Sequence, residues 1–191
     1  MNENLSQLSD EYILYLVTVR GFSEHTKTGY QEDLKHLKLI LGEDKKISEI
    51  SLNDLRTCIA SLSKRKYSVA SINRFIAAVR GLFAYCKKFG YIEYNVALEL
   101  KTLKAPKRLP RFMTQNEVDA LCSAPEKKPI LWPARDKAIF EMFYSSGCRV
   151  SELAALKISD FDADYSSAIV TGKGKTDRRV YFEKDARHAL S

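Results

Sequence analysis

The feature that most constrains this chain is one long apolar stripe. Ile72, Phe75, Ile76, Val79, Leu82, Phe83 and Cys86 recur at intervals of three and four, and the series stops at Gly90. That spacing places all seven on one face of an α-helix. A helix with so wide an apolar face must pack against other amphipathic elements. The upstream sequence supplies them. Ile13, Leu16 and Val17 form one stripe, closed by Gly21. Ser23 offers an N-cap before Tyr30, Leu34, Leu37 and Leu41, with Gly42 behind them. Ser51 and Asp54 have the spacing of a capping box ahead of Leu55, Ile59 and Leu62. A short helix is expected from Val96 to about Leu103. No strand-like alternation interrupts this series, so the first hundred residues read as a bundle of four or five helices.

The stretch KAPKRLPR, Lys104 to Arg111, breaks the pattern with two prolines and four basic residues. It reads as an extended linker, because proline removes a helical donor and restricts its neighbour. The expected organisation is a helical domain over 1–104, a basic linker over 105–112 and a second, incomplete domain over 113–191. In the second, Thr114 and Glu117 make another capping box before Val118 and Leu121. Pro133 starts a helix carrying Ala138, Ile139, Met142 and Phe143. The texture then changes. Ala168–Thr171 and Arg179–Phe182 favour strands, and GKGKTD between them supplies turn residues, giving a β-hairpin with a basic tip. A further helix begins near Asp185.

The 191 residues are 29% charged with a net charge of +7, a globular rather than disordered balance. The four cysteines, at 58, 86, 122 and 148, form no CxxC pair, so they read as reduced small hydrophobes and the expected compartment is the cytoplasm. Asn2, Glu3 and Asp10 do not look like a signal peptide, and no apolar run is long enough to span a bilayer. A membrane partner is therefore not expected.

The charge is unevenly distributed. Lys64, Arg65, Lys66, Arg74, Arg80, Lys87, Lys88, Lys101, Lys104, Lys107, Arg108 and Arg111 are opposed only by Glu93 and Glu99 within the same stretch. This excess of ten positive charges exceeds the +7 of the whole chain, so the remainder is net acidic. Concentrated basic charge is what phosphate binding requires. Asn73, Arg80 and Lys87 lie seven apart, on the helix side away from the apolar stripe, and such a basic face suits DNA contact. The competing reading is a solvated helix face followed by a basic linker.

Chemistry-bearing motifs are few. His25, His36 and His188 lack metal-ligand spacing. Neither GxGxxG nor GxxxxGK[ST] occurs, and no Gly-x-Ser-x-Gly or Cys-His arrangement suggests acyl transfer. Arg149 stands out, between the Ser145-Ser146-Gly147 turn and the helical pattern of Val150, Leu153, Ala154 and Leu156. An arginine fixed at such a junction can present its planar fork to a phosphate. It could equally be a salt-bridge partner of Glu152 or Asp160. Lysines at the hairpin tip could reach the same phosphate or protonate a leaving oxygen, or simply be solvated.

The segments YSSGCRVSELAALKISDFD and VTGKGKTDRRVYF together resemble the tyrosine recombinase (phage integrase) family, closest to the bacterial Xer-type recombinases. The upstream SVASINRFIAAVRGLFAYCKKFGYIEYNVALELKTLKAPKRLPRFMTQNEVDAL looks like that family's helical DNA-clamp domain and linker, and TKTGYQEDL (26–34) like its first DNA-facing helix. The resemblance covers nearly the whole chain in the right order. It implies a mainly α fold: an N-terminal SAM-like helical bundle that clamps DNA, then the first part of an α+β catalytic domain with a β-hairpin. It implies site-specific strand exchange through a 3′-phosphotyrosyl intermediate, without metal or cofactor. Arg149 matches the first catalytic arginine, which stabilises charge on the phosphorane-like transition state. Lys173 matches the hairpin lysine that protonates the 5′-oxygen, with Lys175 as the alternative, and Glu152 reads as a structural partner. The DNA-binding set is Lys27, Lys64, Arg65, Lys66, Asn73, Arg74, Arg80, Lys87, Lys107, Arg108 and Lys175. The implied partners are a double-stranded recombination site and homologous recombinase protomers on that DNA.

The sequence also departs from the family. There, a His-x-x-Arg motif, a further His or Trp and the nucleophilic Tyr lie beyond the hairpin. Here Thr28, Leu39 and Ser191 stand three positions after the three histidines, and all ten tyrosines precede or lie within the hairpin. The expectation is an N-terminal fragment that binds DNA without cleaving it, with apolar faces of the 134–143 and 150–156 helices exposed. Xer-like chromosome-dimer resolution is favoured over mobile-element integration, because no extra arm-binding module precedes the bundle. The alternative is a non-catalytic DNA-binding protein using the same clamp.

Overall fold

The structure is a computed structural model that describes residues 4–106, 109–127, 132–172, 174 and 176–190. The chain divides into two compact units, Met1–Arg108 and Leu109–Ser191.

The first unit is built from α1 (Leu5–Thr18), α2 (Glu24–Leu41), α3 (Leu52–Lys64) and α4 (Val69–Lys88). Each start is fixed by a short polar side chain that accepts a backbone N–H of the first turn: Asn4, Ser23, Ser51 and Ser68. Ser51 and Asp54 form the expected reciprocal box. The stripe on α4 is the centre of the core. Phe75, Ile76, Val79, Leu82 and Phe83 are buried against Leu5 and Leu8 of α1, Leu34 and Leu37 of α2, and Leu55 of α3. Cys58 and Cys86 sit in the same core as free thiols, pushed up by desolvation to about 11 and about 12.

The α3–α4 turn closes through Lys66 in the left-handed region, φ 60°. The Lys66 N–H donates to the Ser63 carbonyl and that of Tyr67 to Leu62. This turn projects Lys64, Arg65 and Lys66, all exposed. Gly81, inside α4, serves close approach rather than turning: a Cβ there would lie 2.0 Å from the hydroxyl of buried Tyr12 on α1. Gly81→Ala gains helix propensity but forces that ring to move. A net loss of about 1–2 kcal/mol is expected in chemical denaturation of the chain.

Beyond α4 the structure corrects one expectation. The helix expected from Val96 to about Leu103 is a single tight turn, Val96–Glu99, followed by extended chain. Side chains of α4 occupy the backbone groups a longer helix would need. Arg80 donates to the carbonyls of Ala97 and Leu100. Asn73 and Leu103 exchange two bonds, 2.9 Å from the Asn73 amide to the Leu103 carbonyl and 2.8 Å from the Leu103 N–H.

The second unit has the antiparallel hairpin β1 (Ser167–Thr171) and β2 (Asp177–Tyr181), with α5 (Gln115–Lys127), α6 (Pro133–Ser146), α7 (Val150–Ala155) and α8 (Lys184–Leu190). The register pairs Ala168 with Val180 and Val170 with Arg178. The strands are thus displaced by one or two residues from the expected limits. Phe182 stays tied to Ser166 through its N–H. The core is small: Met142, Cys148, Ala168, Val170, Val180, Phe182 and Ala186. An apolar groove of about 370 Å³ opens between α6, α7 and α8, lined among others by Ile139, Phe143, Leu153, Leu156 and Leu190. Val150 and Ile158 are largely exposed. No described helix is long and apolar enough to cross a membrane.

Candidate nucleic-acid interface and phosphate site

Arg149 is set in place by the turn around it. Gly147 ends α6 in the left-handed conformation, φ 61°, and Cys148 plugs into the core. Arg149 then occupies the N-cap of α7 in extended conformation. Glu152, three residues on, reaches back. Its Oε2 accepts the Arg149 backbone N–H at 2.9 Å, and its Oε1 accepts Arg149 Nη1 at 2.7 Å. The Glu152 side chain is 2% exposed, whereas that of Arg149 is 68% exposed. The arginine is therefore held at its backbone N–H and at one guanidinium nitrogen, while most of its side chain stays open to solvent.

Glu152 has a second guanidinium partner. Arg178 on β2 donates from Nη2 to Glu152 Oε2 at 2.7 Å. The hairpin also approaches from β1, where a Cβ on Gly172 would lie 3.2 Å from Glu152 Oε1. One carboxylate thus serves two arginines and leaves one net positive charge. The Arg149 backbone N–H, then the two guanidinium groups, hold the Glu152 carboxyl down at about 2 against desolvation. A depressed carboxyl stabilises the fold above its unfolded value and loses that contribution as pH falls towards about 2. Acid titration should therefore loosen the α7–hairpin contact between the ordinary glutamate range and pH 2. Glu152→Gln should remove that part of the acid transition, as followed by hydrogen exchange at the Arg149 amide. A parallel acid response in both chains would remove Glu152 as its cause.

Of the other sequence-derived candidates, Lys64, Arg65, Lys66 and Lys87 are exposed. The first three lie at the α3–α4 turn. Lys87 lies at the far end of α4, about 30 Å along the helix axis. Lys27 pairs with Glu24 at 3.1 Å on the first turns of α2. On the polar side of α4, Asn73 and Arg80 bind the chain's own 97–103 segment, whereas Lys87 is exposed. Arg74 is gripped by buried Asp33, with Nε at 2.8 Å and Nη2 at 3.1 Å, while its side chain stays half exposed. Lys107, Arg108, Lys173 and Lys175 lie outside the described residues. Among the described residues, no group of three or more His, Cys, Asp or Glu side chains could hold a metal ion.

The role of Arg178 was not singled out from the sequence, although a signal was present. Alternation puts it on the same side of the chain as buried Val180 and Phe182, the side that faces Glu152.

Comparison with known proteins gives the family of the chain. Residues 9–90 match the model of the phage integrase N-terminal SAM-like domain, and residues 111–191 match that of the phage integrase family. A curated relative from Treponema denticola, named tyrosine recombinase XerC, is 38% identical over 187 residues, covering 97% of this chain and 61% of the relative. A namesake from Alcanivorax borkumensis is 31% identical, covering 99% of this chain and 61% of its own length. The chain thus spans about three-fifths of the length of these relatives. In fold it is similar to the Tn1549 transposon integrase solved with circular-intermediate DNA, at TM-score 0.79 and 16% identity over 98% of this chain and 63% of that one. It is also similar to the lambda integrase dimer solved on a core site, at TM-score 0.76 and 21% identity over 96% and 65%. With both family models matched in order along its length, and a fold shared with solved integrases, the chain belongs to the phage integrase family of tyrosine recombinases.

Proposed function

We propose that this chain binds duplex DNA at a recombination site, in the cytoplasm and alongside homologous protomers, as part of a site-specific recombinase of the Xer type. The reading assigns DNA clamping to residues 1–104, a linker to 105–112 and phosphate chemistry to 113–191. Arg149 stabilises negative charge on the phosphodiester under attack. Lys173, or failing it Lys175, gives a proton to the departing 5′-oxygen. Lys27, Lys64, Arg65, Lys66, Arg74, Lys87, Lys107, Arg108 and Lys175 supply backbone contacts. Asn73 and Arg80 serve the interface indirectly, by holding the 97–103 segment on α4. Chromosome-dimer resolution is the process favoured, since the named relatives are XerC recombinases.

The observation that carries the reading is the state of Arg149: anchored by a buried carboxylate, yet with a side chain 68% exposed. The test is incubation with a nicked duplex recombination site, read by mobility on native and denaturing gels. Retarded DNA is expected on the native gel. A band surviving denaturation would identify a tyrosine of this chain as the nucleophile. Binding without such a band supports the non-catalytic reading for the chain alone, and no retardation at low salt overturns the DNA reading.

A further inference from the structure

We propose that Arg178 is a positioning residue, which keeps the guanidinium of Arg149 available to a phosphodiester by occupying the second oxygen of Glu152. The inference rests on the phosphate-binding reading of Arg149 above. The three bonds to Glu152 divide its oxygens unequally. Oε1 receives Arg149 Nη1, while Oε2 receives the Arg149 backbone N–H and Arg178 Nη2. A guanidinium beside a carboxylate prefers the two-bond fork. Arg149 makes only one side-chain bond here, and the oxygen that a fork would use already carries the Arg149 backbone N–H and Arg178 Nη2. Four of its N–H donors therefore stay free of Glu152. Without Arg178, Arg149 can close onto both oxygens, and its charge and donors are drawn down to the carboxylate.

The position of Arg178 also links this arrangement to the hairpin. Arg178 pairs across the ladder with Val170, two residues before Gly172, whose missing side chain lets β1 approach Glu152. Both strands leading to the basic tip therefore converge on the carboxylate that anchors Arg149. Arg178 alternates with Val180 and Phe182 along the chain, which turns its guanidinium towards Glu152 while its side chain stays 41% exposed.

The test is solution NMR of the full chain, following the Arg149 Nε–Hε signal with and without a saturating short DNA duplex. Arg178→Ala should move that signal in the free chain and cut its DNA-induced displacement to less than about half, the consequence of a closed fork. Arg178→Lys restores one donor to Oε2 and should recover most of the displacement, whereas Arg178→Gln, neutral, should recover less. If the alanine variant fails to fold, as judged by its amide spectrum, the lysine and glutamine variants carry the comparison. An undiminished Arg149 response in folded Arg178→Ala or Arg178→Gln overturns the positioning role. Failure of the lysine variant to recover the response also overturns it. A wild-type Arg149 signal that ignores saturating DNA overturns the phosphate reading beneath it, a different result from the other two.

Discussion

A chain with Lys64, Arg65 and Lys66 all changed to alanine should lose most of its affinity for duplex DNA at low salt and much less at high salt. Each phosphate contact removed lowers the slope of log affinity against log salt by about 0.9, so three contacts lower it by nearly 3. Between 50 and 200 mM salt, the ratio of wild-type to variant affinity should therefore shrink roughly 40-fold. The structure gives this cluster its leverage. Lys64 ends α3, Arg65 and Lys66 form the tight turn that follows it, and all three are exposed. None is a core residue, so the variant should fold normally. Fluorescence anisotropy across a salt series measures the effect. An unchanged slope would mean that the turn does not touch phosphates, and the basic stretch would then be a solvated face. Arg149→Ala in the same assay should change the slope little, because one contact at the candidate reactive phosphate is a small part of the total.

The second large effect concerns stability. Arg74→Ala should cost the first unit about 2–3 kcal/mol, since it strands Asp33, whose side chain is 5% exposed. The lower end of the range allows for Arg74 being half exposed, so water can partly replace it. In a unit of this size that lowers Tm by roughly 10 °C. Asp33→Asn should cost less, because the amide oxygen still accepts from Arg74 and no buried charge is left unpaired. The double variant should be more stable than Arg74→Ala alone, as a buried amide is cheaper to strand than a carboxylate. Thermal melts of the four chains form the cycle. If Arg74→Ala is neutral, the pair is not a structural clamp, and Arg74 belongs wholly to the DNA surface. Asp33→Asn keeps the cation while loosening its anchor, so it separates the two roles in a binding assay.

Asp33 and Glu152 are the two buried charged residues among those described, one in each unit, and each is paired with arginine. Both pairs hold a guanidinium at the surface from below. Removing two ions from water offsets much of the attraction in such a pair, so its net stability is small even where breaking it is costly.

The helices of the first unit were legible because their signals are local. Ser23 and Ser51 cap the turns that follow them, and apolar spacing of three and four marks the buried faces. The mainly α class with one hairpin follows from the same signals. The segment after Val96 was misread because its fate depends on Arg80 and Asn73, more than ten residues away, which take the backbone groups a helix would have used. Likewise on α4, spacing says which side Asn73 and Arg80 occupy but not that the 97–103 segment lies against them.

At the candidate site, the sequence alone determined the elements: an arginine capping a short helix, a glutamate three residues on, and a glycine-bracketed basic turn. Local backbone geometry fixes such features, and they read directly from residue order. Only the tertiary structure decided that Arg178 joins them. A hairpin must first fold back over α7, and register must turn one face inward, before residues 149, 152 and 178 share a single carboxylate.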